Sequence, residues 1–544
     1  MSRSNTASLE VLSSGFDKLP SVLEELGYDS LKQGQEEAVM NLMYQRDTVC
    51  VMPTGFGKSA IYIVPARCLQ WKTLIFSPLV SLMKDQVESL WAKNYTAGQV
   101  SSGQTDAENN MVLSEWERGE VQYLLVAPER LQNKRFIEVI EKAKPDLVAI
   151  DEAHCVSQWA DTFRPSYVDI GKFVSEHEPK VVLAMTATMT PDMESDVRRV
   201  LSMENAAKIV YYPRRKNLVF ENESYSLVGL RNILNSVDGP TIVYCSTKKK
   251  THELYDQLKF SIEGGCLVYN GGMSPDERTT NQNMFMSNDV RVMFATNAFG
   301  LGVDKSDIRC IVHVDYPSSV EQYAQEAGRA GRDGKDSKCF FLDDRSTLDT
   351  QSWFIETTFP PTDMVQSVFA WLQSVADSSN AIRVTNKNMS KRIGIHEAYV
   401  SSCLGVLVSS GVVERDRDTS KICKVKLLRQ HPDSDIQDLV SSIEDIGFPS
   451  GSVIEFDLDI LSSRTGIKLQ KLKVTLKELN DNDYLVYIPP YRGSVTRIVG
   501  SISSVDFDRL ENKAREAHAK LRDLVNFMGL DSEGKHDFLE SYFT

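Results

Sequence analysis

The chain has 544 residues, 42% hydrophobic and 25% charged, with a formal net charge of −14. That length suits three or four domains rather than one, and the composition is that of folded globular structure, not disorder. No run of eighteen apolar residues occurs, which excludes an ordinary membrane-spanning helix; the acidic balance argues only weakly against a nucleic-acid partner, because a phosphate track needs no more than a local stripe of Lys and Arg.

The opening stretch, Met1 to Glu10, is polar and lacks the apolar core of a secretion signal. The nine cysteines are scattered with no C-x-x-C pair, several inside apolar runs such as Thr48-Val49-Cys50-Val51. A soluble intracellular protein with reduced thiols is expected. From about Tyr28 to about Arg345 short apolar runs alternate with longer amphipathic segments. Thr48 to Met52, Lys72 to Phe76, Gln122 to Val126, Leu147 to Ile150 and Val181 to Met185 read as fully buried strands of a parallel sheet.

The first of these strands runs into Pro53-Thr54-Gly55-Phe56-Gly57-Lys58-Ser59 and then a helical segment. This is a phosphate-binding loop: Thr54, Gly55, Phe56 and Gly57 form a curl whose backbone N–H groups face phosphate at a helix N-terminus. Lys58 is expected to neutralise the β and γ phosphates of ATP, and Ser59 to ligate Mg²⁺. Met52 stands where the strict pattern has its first glycine, so strand-loop-helix context carries the assignment. The strand Leu147 to Ile150 ends in Asp151-Glu152-Ala153-His154. An acidic pair at the carboxyl end of a parallel strand lies where open α/β sheets bind ligands. Asp151 is expected to hold Mg²⁺ through water, and Glu152 to orient and deprotonate the attacking water.

The strand pattern restarts at Thr241 to Tyr244 and continues through Cys266 to Tyr269, Val290 to Phe294 and Cys310 to Val314. Two α/β domains in tandem are therefore predicted, joined near Tyr211 to Asn217, which contains Pro213, Arg214 and Arg215. The expected boundaries are residues 1–210, 211–350, 351–435 and 436–544. Beyond Phe354 the chain becomes mainly helical. Asp457 to Ser462, Lys468 to Leu479, Tyr484 to Ile488 and Ser494 to Ile498 predict a helix-turn-helix followed by a hairpin with Pro489 to Gly493 at its tip, the pattern of a winged helix. A looser version precedes it, from Asn386 to Arg415.

Several further motifs, in order, make the first 345 or so residues resemble the RecQ family of superfamily 2 helicases. Asp151-Glu152-Ala153-His154, Thr186-Ala187-Thr188, Ala295 to Lys305 and Gln325 to Gly334 are similar to successive motifs of the superfamily. Leu31 to Gln35 after Gly27-Tyr28, Ser77 to Gln86, Ala127 to Leu131, and Asp151 to Tyr167 are similar to RecQ motifs in particular. The resemblance implies two tandem RecA-like domains followed by a mainly helical region with a winged helix. It implies a 3′ to 5′ DNA helicase active in repair or recombination, with single-stranded and forked double-stranded DNA as partners.

On that resemblance Gln35 reads the adenine edge, Tyr28 or Lys32 packs on the base, and Asp304 bonds the ribose. Arg329 and Arg332, from the second α/β domain, reach the γ-phosphate held by the first; the planar guanidinium fork suits phosphate oxygens. Gln158, Trp159, Phe163, Arg164 and Tyr167 stand where the family senses single-stranded DNA, by stacking of bases on aromatic faces. Tyr491 and Arg492, at the expected hairpin tip, are candidates for a wedge against the terminal base pair.

The sequence departs from the family twice. Ala160-Asp161-Thr162 replace the usual Gly-His-Asp. The four-cysteine zinc module is missing, with only Cys403 and Cys423 beyond Phe341, so zinc is not expected. The tail Leu524 to Phe543 resembles the end of such a module without its ligands, and the winged-helix part is weakly similar to the Rothmund–Thomson branch of the family. A DNA translocase with weak unwinding and an RNA helicase stand as alternatives. No membrane association is expected; protein partners stay open, with a monomer allowed.

Overall fold

A computed structural model describes residues 9–53, 55–78, 80–156, 165–300, 305–417, 422–428, 434–450, 453–490 and 493–543. Its contacts divide the chain into one unit of residues 1–355 and 515–544 and a second of residues 356–514. The first unit holds two parallel sheets. In the first sheet, strands β1 (Thr48–Val51), β2 (Thr73–Phe76), β3 (Ala97–Val100), β4 (Tyr123–Val126), β5 (Leu147–Ile150), β6 (Val181–Thr186) and β7 (Ala207–Val210) lie in the order β3-β4-β2-β5-β6-β1-β7. Strands β1, β2, β4, β5 and β6 are buried along their whole length, as continuous Val/Ile/Leu runs covered by helices on both faces must be. Val51 pairs with Thr186, and Phe76 with Ile150, so the carboxyl ends of these parallel strands gather on one edge.

The second sheet has the order β10-β11-β9-β12-β13-β8, from β8 (Leu218–Ser224), β9 (Thr241–Tyr244), β10 (Cys266–Tyr269), β11 (Val292–Ala295), β12 (Cys310–His313) and β13 (Ser337–Asp343). Its edge strand β8 is covered by the far end of the chain. Asn222 Nδ2 donates to Met528 O at 2.6 Å and Leu530 O at 3.1 Å, and His536 Nε2 lies 3.0 Å from Leu218 O. Phe527 meets the Tyr323 ring edge-on at 5.3 Å. Lys535 is buried between those two rings and donates to Asn222 Oδ1; burial pulls its ammonium down to about 8.

Large side chains fill the layers between sheet and helices. Trp116 is fully buried, donates to Ala143 O at 2.9 Å and carries the Lys72 ammonium 5.3 Å from its ring. Trp116→Ala is expected to destabilise the first sheet's domain by about 3–5 kcal/mol, read as a shift of its urea-unfolding midpoint.

The second unit is antiparallel. The helix Thr362–Val375, strand β14 (Ala381–Ile382), helices Asn386–Ile393 and Glu397–Ser409, strand β15 (Val413–Arg417) and finally β20 (Ser494–Ile498) form a helix-turn-helix on a sheet ordered β14-β20-β15. Between β15 and β20 is set a second such layout. It comprises β16 (Ile422–Leu427), the helix Ser434–Ile446, β17 (Phe448–Ser450), β18 (Val453–Asp457), helices Leu458–Thr465 and Leu469–Asp481, and β19 (Leu485–Ile488), in a sheet ordered β17-β18-β16-β19.

Two expectations are corrected here. The division at 435/436 is replaced by a single unit ending at Ala514, because β20 closes the sheet that β14 and β15 begin. The hairpin of Tyr484 to Ile488 with Ser494 to Ile498 does not form: β19 pairs with β16, whereas β20 pairs with β14 and β15. Pro489-Pro490 supplies the reason. Two prolines in succession offer no N–H to a ladder and keep the backbone extended, so the chain passes on to another sheet instead of turning back.

Candidate functional site

Beyond β1 the chain folds tightly. Gly55 at φ +76° and Gly57 at φ +86° take left-handed conformations that a side chain would strain. Lys58 Nζ donates to Met52 O at 3.2 Å, so its ammonium folds over the loop. Ser59 is the first residue of the helix Ser59–Leu69, whose N-terminus has no side-chain cap. An uncapped helix start beside a cradle of glycines favours an anion.

Gln35 opens the helix Gln35–Met43 and braces this loop. Its Nε2 donates to Phe56 O at 2.8 Å and Gly57 O at 3.1 Å, and its Oε1 accepts from Lys32 N–H at 2.9 Å. Lys32 Nζ lies 4.9 Å from the Phe56 ring centre, and Phe56 in turn meets Tyr211 at 5.1 Å. Tyr28 packs against the first domain's core, with Lys93 5.1 Å from its ring; burial raises its phenol.

The acidic pair follows β5. Asp151 Oδ1 accepts the Glu152 N–H at 3.0 Å, and Glu152 sits at φ +49°. A left-handed conformation at a non-glycine residue costs about 1–3 kcal/mol and is characteristic of functional sites. Burial and the adjacent Glu152 charge push the Asp151 carboxyl up to about 6, against the pull of Lys58. For Glu152, burial acts upward, but His154, Lys58 and Arg329 more than offset it and keep the carboxyl below its usual range. His154 Nδ1 stands 3.3 Å from Glu152 Oε2 and 2.8 Å from Thr186 Oγ1, and Thr186 Oγ1 donates to Thr188 O at 3.0 Å.

The second sheet's domain supplies the rest. Gln325 Nε2, on the helix Val320–Ala327, donates to Thr188 Oγ1 at 3.1 Å, which carries the chain of contacts from Glu152 across to the second domain. Arg332 lies on the phosphate-type loop: a Cβ added at Gly55 would meet its Cδ at 3.0 Å. Arg329 is buried, and its charge acts on both Glu152 and Tyr244. Lys58, Asp151, Glu152, Arg329 and Arg332 thus converge, as do Lys32, Gln35, Gly55, Phe56, Gly57 and Ser59 around them.

Other expected positions fare differently. Tyr167 is fully buried in the core beneath the first sheet, so it offers no face to a nucleic acid; its place on the helix Pro165–His177 turns it inward. Thr54, Gln158, Trp159, Phe163, Arg164, Asp304, Tyr491 and Arg492 lie outside the described residues. Cys403 and Cys423 are both buried, in separate cores. The links His154–Thr186 and Gln325–Thr188 escaped sequence reasoning, although each residue belongs to a motif; their partners are set by sheet order, not spacing.

Two parallel-sheet domains that bring arginines of one onto the loop and acidic pair of the other define a superfamily 2 helicase core. Residues 32–196 match the DEAD/DEAH box helicase family, and residues 226–334 the helicase conserved C-terminal domain. The chain is 38% identical over 336 residues to the ATP-dependent DNA helicase RecQ of Bacillus subtilis, covering 61% of this chain and 56% of that protein. To the probable ATP-dependent DNA helicase RecS of the same organism it is 34% identical over 373 residues, covering 68% of this chain and 73% of the relative. The chain belongs to the RecQ helicase family. It spans about half the length of the bacterial RecQ proteins it matches. In fold it is similar to the helicase MrfA bound to DNA and AMPPNP, with a TM-score of 0.51 at 17% identity over 81% of this chain and 61% of that one. Among the described residues no helix is long and apolar enough to cross a membrane.

Proposed function

We propose that the chain is an ATP-dependent DNA helicase that moves 3′ to 5′ along single-stranded DNA and separates forked duplex in repair or recombination. The observation that carries this reading is the contact of Arg332, from the second domain, with Gly55 of the first. A nucleotide held there touches both domains, so its hydrolysis alters the contact between them and becomes movement.

Lys58 and the curl at Gly55 and Gly57 bind the phosphates, with Thr54 contributing from the same loop. The donor set fits a hard cation: Asp151 is a buried carboxylate beside a second one, and oxygen ligands of this kind suit Mg²⁺. Asp151 and Ser59 would hold the ion, which supplies charge neutralisation at the phosphates. Glu152, kept ionised by His154, Lys58 and Arg329, takes a proton from the attacking water. Arg329 and Arg332 stabilise charge on the transferring phosphoryl group. Gln35, Lys32 and Tyr28 border the base, and Asp304 meets the ribose. Gln35 reads adenine with whatever capacity its amide retains beyond its bonds to Phe56, Gly57 and Lys32. On the DNA side Gln158, Trp159, Phe163 and Arg164 grip the single strand, which makes the protein DNA-associated in the cell.

A second reading, a translocase that separates strands weakly, is supported by the divergence of β19 and β20, since it takes away the hairpin on which a Tyr491–Arg492 wedge would stand. One experiment tests both: ATP turnover with single-stranded DNA or RNA, alongside unwinding of forked, 3′-tailed and 5′-tailed duplexes. The helicase reading expects DNA-stimulated turnover with unwinding of forked and 3′-tailed substrates only. Turnover without unwinding selects the translocase; stronger stimulation by RNA, or unwinding from a 5′ tail, overturns the proposal.

A further inference from the structure

Arg215 lies in the segment that joins Val210 to Leu218, and the roles assigned above leave it unused. Its guanidinium is half-buried and spends its donors on backbone carbonyls of the second domain. Nη2 donates to Ala330 O and to Gly331 O, each at 2.7 Å, and Nη1 reaches Gly328 O at 3.4 Å. Nε donates to Asn217 Oδ1 at 3.3 Å. Asn217 Nδ2 then donates to the same Gly331 O at 2.8 Å and to Lys335 O at 2.9 Å.

These carbonyls close the turn after the helix Val320–Ala327, where the last groups of a helix lack partners within it and a cation is favoured by the helix dipole. The fit is close. Gly331 has φ +54°, and a Cβ there would fall 2.5 Å from Asn217 Nδ2. Arg329 lies inside the braced span Gly328 to Gly331, and Arg332 follows it directly. A planar fork that holds three carbonyls at once is a task for arginine; lysine offers a single point of donation. The neighbouring Arg214 faces the other way, paired with Glu533 and, at 2.9 Å, with Asp537. The two arginines of the joint therefore have separable tasks.

We propose that Arg215 is a positioning residue for Arg329 and Arg332, fixing the turn that presents both to the nucleotide phosphates. The inference rests on the ATPase reading above. It acts through geometry alone, because Arg215 is bonded to the turn and not placed at the reacting atoms.

The test compares DNA-stimulated ATP turnover and thermal melting of the full chain for Arg215→Gln, Arg215→Lys, Arg214→Ala, Arg332→Ala and the Arg215→Gln/Arg332→Ala double variant. Arg215→Gln is expected to lower kcat about 100-fold, the cost of a small misplacement of catalytic groups, with KM for ATP little changed. Arg215→Lys is expected to recover part of that loss, by about 10-fold, through its retained charge at the carbonyls. Added to Arg332→Ala, the Arg215→Gln change should cost less than it does alone, since the part of its effect that runs through Arg332 is already lost and only the part through Arg329 remains. Arg214→Ala should keep kcat. The inference is overturned if Arg215→Gln and Arg215→Lys retain wild-type kcat, if their losses track a fall in melting temperature that Arg214→Ala shares, or if the double variant is fully additive. A wild-type chain that hydrolyses no ATP sinks the ATPase reading itself, a result distinct from any of these.

Discussion

Glu152→Gln is expected to lower ATP turnover by about 10³-fold while leaving nucleotide binding nearly unchanged. The substitution keeps the length and shape of the side chain but removes its capacity to accept a proton. No hydrogen bond that holds the cradle for the phosphates uses that carboxylate: Lys58 donates to Met52 O, and the loop is braced by Gln35 at Phe56 and Gly57. The environment is arranged to keep Glu152 ionised, with burial offset by His154, whose Nδ1 lies at 3.3 Å, together with Lys58 and Arg329, whereas Asp151 next to it is pushed toward protonation. Single-turnover hydrolysis alongside titration with a fluorescent ATP analogue checks the expectation. A variant that binds normally and still turns over at more than a tenth of the wild-type rate would show that the proton goes elsewhere.

The parts of this site legible in the sequence are those in which chemistry and chain order coincide. A buried strand followed by Gly55-Phe56-Gly57-Lys58-Ser59, and another ending in Asp151-Glu152, carry their own signal, because the loop and the acidic pair each follow directly from the strand that positions them. The fully buried strands β1, β2, β4 and β5 were readable for the same reason. The strand β3, Ala-Gly-Gln-Val, carried too little apolar pattern to be seen, and the edge strand β8 alternates with exposed polar residues. What sequence could not supply is pairing at a distance. Tyr484 to Ile488 and Ser494 to Ile498 look like one hairpin because they are neighbours in the chain; only the strand order reveals that each completes a different sheet. Tyr167 follows the same rule in reverse, an aromatic at the end of a segment that resembles the family's signature, whose helix faces it into the core. The bracing of Gly328 to Gly331 by Arg215 spans more than a hundred residues, and an Arg-Arg pair in a joint reads equally well as solvated surface.

Arg332→Ala is expected to reduce turnover by about 10³-fold or more, the scale on which an arginine supplied to a transferring phosphoryl group acts. The side chain lies against Gly55, where a Cβ would meet its Cδ, Cγ and Nε at 3.0 to 3.2 Å, so the glycine leaves room for this one arginine from the facing domain. Its removal takes away both a charge beside the phosphates and a contact between the domains. The two losses separate experimentally. Loss of charge alone lowers the rate of hydrolysis; loss of the contact also weakens preference for ATP over ADP, because closure of the domains around the nucleotide no longer rewards the third phosphate. Arg332→Lys restores charge without the fork, and is expected to regain little of the rate. Binding of single-stranded DNA measured without nucleotide should be retained in both variants. Turnover within about 10-fold of wild type in Arg332→Ala, against the scale expected of such an arginine, would place the essential cation elsewhere, with Arg329 the remaining candidate on the same turn.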